Sequence, residues 1–109
     1  MAEFKINEAL WDTLTEEQQV HVDNILRIVR ILRGDDIIVA DANTPRAEYD
    51  RDDFPPYWGA PDECVAACEA AIDIMMINCV AMGGTEVMCG LAAQAVFQQC
   101  CEACEEGFG

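Results

Sequence analysis

Lysine is almost missing from this sequence. Lys5 is the single lysine among six basic residues, and these face 21 acids, for a formal net charge of −15 over 109 residues. A basic surface of the kind that holds nucleic acid or anionic lipid is excluded on that ground. Histidine is present once, as His21, and without a visible partner it reads as an exposed residue rather than a ligand or base. No stretch gives about 20 uninterrupted apolar residues, the length of a membrane span. The opening residues 1–14 are amphipathic and acidic. They lack the basic and apolar regions of a secretory signal, and their acidity is unlike a mitochondrial presequence. There is no Ser/His/Asp set, phosphate-binding glycine loop or zinc motif, so the expectation is a protein without catalysis, cofactor or bound metal.

What is present is unevenly placed. Residues 1–59 hold all six basic residues, thirteen acids and no cysteine, whereas residues 60–109 hold eight acids, no base and all seven cysteines. Such a shift marks two parts under different physical demands. Three segments follow: a helical portion over 1–42, a Pro- and acid-rich linker over 43–60, and a cysteine-rich region over 61–106. In the first, Thr15-Glu16-Glu17-Gln18 fits a capping box, and Val22, Ile25, Leu26, Val29 and Leu32 recur at helical spacing. The spacing predicts a helix over about 15–33 that stops at Gly34, after a shorter helical piece near 7–14. Arg27, Arg30 and Arg33 lie on the opposite face, either as solvated cations near the helix C-terminus or as contacts for an acidic partner. Residues 37–39 could form a short strand, with nothing obvious to pair with. In the linker, Pro45, Pro55, Pro56 and Pro61 exclude a continuing helix. Phe54, Tyr57 and Trp58 there are too apolar for a pure spacer and are candidate partner contacts.

The cysteines follow a rule. Pro61-Asp62-Glu63 opens a helical run that breaks at Gly83-Gly84, and a second run continues to about residue 106. Two runs of similar length about a Gly-Gly turn make an antiparallel helical hairpin. Cys64 and Cys104, Cys68 and Cys100, and Cys79 and Cys89 are each equidistant from Gly84, so each pair falls opposite its mate. Within a run the spacings are four and eleven residues, about one and three helical turns, which keeps each set on one face. The same symmetry sets Ile72 opposite Val96, Ala71 opposite Phe97 and Met76 opposite Ala92. Disulfides require Cα atoms closer than ordinary helix packing gives, and the many alanines of both runs permit that approach. Three nested disulfides is the leading expectation, with buried thiols or metal thiolates as alternatives. Cys101 is left outside the pairs, about 100° around the helix from Cys100: an unbridged thiol, a link to a second chain in a disulfide-bonded dimer, or a residue that exchanges with Cys100.

The constellation resembles the twin Cys-x9-Cys, or coiled-coil–helix–coiled-coil–helix (CHCH), family. Cys68, Cys79, Cys89 and Cys100 occupy its four positions, with Cys-x10-Cys spacing here and Cys64 and Cys104 as an additional outer pair. The resemblance covers about residues 61–106. It implies bridges from Cys68 to Cys100 and from Cys79 to Cys89. It also implies a non-enzymatic accessory subunit or assembly factor in an oxidising compartment, such as the mitochondrial intermembrane space, reached without a cleaved presequence.

Two other likenesses compete. A cysteine-free acidic half before a cysteine-dense half is similar to the leader and core of a ribosomal peptide precursor of bacteriocin type, recognised by a processing enzyme and exported by a dedicated system. The sulfur-rich ending, Cys100-Cys101-Glu102-Ala103-Cys104, with Met75, Met76, Met82 and Met88, is similar to Cu(I)-thiolate storage bundles. The expected architecture is all-α: a disulfide-stapled hairpin preceded by an amphipathic helix and an acidic linker, acting through protein partners.

Overall fold

Residues 2–47 and 62–107 are described by the computed structural model, with side chains as far as Cys104. Most of the linker, including Phe54, Tyr57 and Trp58, lies outside the described residues. The elements run β1 (Glu3–Asn7), α1 (Glu8–Asp12), α2 (Glu16–Ile28), β2 (Ile37–Asp41), α3 (Asp62–Ala81) and α4 (Glu86–Gly107). The chain is mostly helical, but the strand pair corrects the all-α expectation.

α2 begins as its sequence dictates. The Thr15 hydroxyl accepts from the Gln18 backbone N–H at 3.2 Å, and Gln18 Oε1 accepts from the Thr15 N–H at 2.7 Å. It ends a turn earlier than Gly34 suggested. Arg30 adopts a left-handed φ of 65°. The Ile31 N–H reaches back to the Leu26 carbonyl at 2.8 Å, and the Arg30 N–H to Arg27 at 3.1 Å. This is a Schellman closure with arginine where glycine is usual. Gly34, at φ 55°, then serves the next turn. Two left-handed residues four positions apart reverse the chain, and Leu32 is buried on the way.

That reversal delivers β2 to a partner the sequence hid. β1 and β2 pair in parallel, with Glu3 opposite Ile37 and Asn7 opposite Asp41. Parallel strands need a crossover, which α1 and α2 provide. Asp36 ties one end, accepting from the backbone N–H groups of Ala2 at 2.9 Å and Arg33 at 3.0 Å. At the other end, Asn7 caps α1 by accepting from the Leu10 N–H at 3.0 Å and donates to the Thr44 carbonyl at 2.8 Å. Phe4 and Ile6 point to the same side of the strand, and Ile6 is fully buried.

β1 and α2 pack on α3, and α4 packs on α3 as well. α3 is therefore the central helix. Its residues 70–76 are buried in unbroken succession, Asp73 included, as an element apolar on all sides requires. By length and composition α3 is apolar enough to cross a membrane, although half of that stretch is buried within this fold. α4 buries a single stripe: Cys89, Ala93, Val96 and Phe97, Cys100 and Cys101, then Cys104. Ala93 takes the seam position expected for Ala92, which is exposed.

The turn is built for close approach. Gly83 has φ 96°, and a Cβ placed on Gly84 would meet the sulfurs of Cys89 and Cys79 at 2.8 and 2.9 Å and the Cys79 carbonyl oxygen at 3.0 Å. Gly84→Ala should therefore cost about 1–3 kcal/mol by overpacking. Gly90→Ala, on α4 with nothing within 4 Å, should add roughly 0.5–1 kcal/mol of stability. Urea unfolding of the non-reduced variants reads both, and shifts of the same sign would contradict the assigned packing.

Candidate functional site

The hairpin's cysteines form three rungs. Cys64 is joined to Cys104, Cys68 to Cys100, and Cys79 to Cys89, with Cα separations of 6.0, 5.8 and 5.9 Å. These separations fall in the range that a disulfide needs, and Ala67, Ala70, Ala71 and Ala93, all fully buried, keep the seam between the two helices slim. Cys64, Cys68, Cys89 and Cys100 are sealed from solvent. The outer rungs adjoin, with Cys64 Sγ 3.9 Å from Cys68 Sγ.

His21 departs from the sequence reading. It is half-buried rather than exposed, and α2 carries its ring onto the outer end of the ladder. Nε2 stands 3.1 Å from Cys104 Sγ and 3.4 Å from Cys100 Sγ. Together with Cys68 Sγ, these ligand atoms lie within 4.8 Å of one another. Burial holds the imidazole pKa below its ordinary value, partly offset by a hydrogen bond to the Cys100 backbone. The available signal was its place on the buried face of α2: Gln18, His21 and Ile25 are three and four residues apart. What this face met could not be read from spacing.

Gln18 acts twice. Its Oε1 serves the capping box, while Nε2 donates to the Glu63 carbonyl at 2.9 Å, which fixes the start of α2 beside the start of α3. Asp73 fastens the first described stretch of the linker, accepting from the Ala47 N–H at 2.9 Å. Burial pushes its carboxyl pKa up, with the Ala47 hydrogen bond and the Arg46 charge pulling the other way. Its Oδ1 is buried without a hydrogen bond among the described residues.

The arginine stripe is largely committed to the fold. Arg27 Nε donates to Asp23 at 2.6 Å, and its terminal nitrogens donate to the Gly34 and Asp36 carbonyls at 3.1 and 2.9 Å. Arg33 Nε donates to the Arg30 carbonyl at 3.0 Å. These cations accordingly organise the turn between α2 and β2, with Arg30 and Arg33 exposed. Arg27, Arg30 and Arg33 do line one shallow depression together with Ile28, Leu32 and Gly34. Cys101 is outside the three bridges and fully buried. A link from it to a second chain would require that end of α4 to open.

The other end of the hairpin is apolar and open. Val80, Met82, Val87, Met88 and Leu91 surround the turn, with Met82 84 % and Leu91 63 % exposed. The Cys79–Cys89 rung lies directly beneath. Comparison with protein-family models, with curated proteins and with solved structures gives no match to this chain.

Proposed function

We propose that this chain is a non-catalytic interaction protein, an accessory subunit or assembly factor whose disulfide-stapled, CHCH-like hairpin offers its turn end to a partner protein. The open cluster of Val80, Met82, Val87, Met88 and Leu91 carries this reading. Five large exposed apolar side chains within residues 80–91, about the turn, are denser than the usual scatter of exposed apolar residues and favour a contact surface. The inner rung holds the backbone beneath them in place, which lowers the ordering cost of binding. The partner's chemistry follows from charge. With eight acids and no base over residues 60–109, the fitting partner is a helical surface with an apolar stripe flanked by lysine or arginine. The packing of α2 and β1 on α3 supports one working unit rather than a leader attached to a separate product. An oxidising destination accords with three bridges.

The test is titration of the oxidised full-length chain with a synthetic amphipathic helix, leucine on one face and lysine at its borders. Binding should weaken in salt and fall at least about tenfold in Leu91→Asp, from loss of one apolar contact in the patch. The substitution adds negative charge, so a merely electrostatic association would strengthen. Unchanged or tighter binding by Leu91→Asp would refute the proposed surface.

A further inference from the structure

We infer that the outer end of the ladder is a redox-gated zinc site, in which reduction of the two outer bridges releases Cys68, Cys100 and Cys104 to bind Zn²⁺ together with His21. In a tetrahedral Cys3His centre, bonds of about 2.3 Å to sulfur and about 2.0–2.1 Å to nitrogen place neighbouring donors roughly 3.5–3.8 Å apart. His21 Nε2 lies 3.1 and 3.4 Å from the sulfurs of Cys104 and Cys100, and all four donors fall within 4.8 Å. The four donors fall within the span of one coordination sphere, and once reduced the sulfurs of Cys68 and Cys100 have only to part from their bonded distance.

Their placement follows from the elements. Cys100 and Cys104 are one turn apart on α4, Cys68 faces Cys100 from α3, and α2 brings the imidazole from the cysteine-free half. No local motif contains this set: His21 is 79 residues from Cys100 in sequence. Cys64 stands at the margin, its sulfur 3.9 Å from that of Cys68, and can take the place of either neighbour. Cys101 is not part of the gathered set.

The two states exclude each other, because a bridged sulfur has no thiolate to offer. An external dithiol opens the Cys64–Cys104 and Cys68–Cys100 bridges. Each bridge accepts two electrons and two protons, and each dithiol equivalent closes to its own disulfide. Four thiols result; Zn²⁺ then displaces three thiol protons, and the fourth cysteine stays protonated. The bound centre carries a net charge of −1, one unit more negative than the neutral thiols and imidazole it forms from, so binding releases protons and weakens as pH falls.

The experiment uses the full chain with Co²⁺ as a spectroscopic substitute for zinc. The chain is reduced with a dithiol, freed of excess reductant under anaerobic conditions and titrated. One Co²⁺ per chain should bind with the strong visible bands of a tetrahedral thiolate site, helicity should rise with it, and one equivalent of Zn²⁺ should displace it. His21→Ala should weaken binding at least about tenfold, as expected for loss of a ligand where even supporting contacts are worth that much. Cys101→Ser should leave affinity and spectrum unchanged. Retention of three bridges and helicity by oxidised His21→Ala establishes that this variant folds. The inference is overturned by a pale octahedral spectrum, by tetrahedral binding to the oxidised chain, by equal affinities of wild type and His21→Ala, or by uptake of several Cu(I) ions without a tetrahedral Co²⁺ site.

Discussion

Replacing Cys68 and Cys100 together by alanine should lower the stability of the oxidised protein by about 2 kcal/mol, close to the cost of losing either other rung. The near-equality follows from nesting. The three bridges span 40, 32 and 10 residues, one inside the next. They divide the unfolded chain into loops of about 8, 22 and 10 residues, and losing the middle bridge merges the first two into about 30, for roughly 2.2 kcal/mol in the chain-entropy account. Loss of the outer or the inner bridge gives roughly 2.3–2.5 kcal/mol. Cys101→Ala removes one buried sulfur and no closure, for about 1 kcal/mol. A single Cys68 substitution is less informative, since it leaves Cys100 beside Cys101 and open to exchange. Urea midpoints of the three double variants and of Cys101→Ala give the comparison. Equal costs for all four would contradict the nested pairing. Loss of all three rungs approaches the whole stability of a typical small domain, so the reduced, metal-free hairpin should be largely unfolded.

Phe97→Ala should cost about 3–5 kcal/mol and Leu26→Ala about 2–5 kcal/mol, both through a cavity the backbone can only partly fill. The pair is informative because Phe97 lies in the stapled hairpin and Leu26 in the cysteine-free half, and both are fully buried in one core. A shared core loses its protection together. Either substitution should therefore accelerate amide exchange in α2 and α3 alike, within a single unfolding transition. If Leu26→Ala melts α2 alone and leaves the exchange of α3 and α4 unchanged, the two halves are separate units. The proposed function would then rest on the hairpin only.

How much was legible depended on how local each cause is. The start of α2 was readable because the capping box is contained in four consecutive residues. Its end was not: Gly34 is the obvious stop, yet the chain turns at Arg30, because Leu32 and β2 gain burial that offsets an unfavourable left-handed arginine. The 37–39 strand was visible, but its partner was not, since parallel pairing joins segments more than 30 residues apart and Phe4-Lys5-Ile6-Asn7 gives only two alternating pairs. Spacing puts Cys101 off the ladder but does not say that it is buried. His21, exposed by expectation, is half-buried because α2 lays it against Cys100 and Cys104, a contact that depends on how α2 meets the hairpin.

The sequence by itself determined the hairpin. Two apolar runs, a Gly-Gly turn and cysteines equidistant from Gly84 define an antiparallel pair in which each residue's neighbour follows from counting. It also determined the charge any partner must bear, since net charge is a sum and needs no coordinates. Only the tertiary structure decided that α3 is central, that the two halves share one core, and that an isolated histidine stands against two sulfurs. Those relations arise from docking α2 and β1 on a helix that is apolar all round. Such a helix shows no preferred face, and so its sequence does not tell which side each neighbour covers.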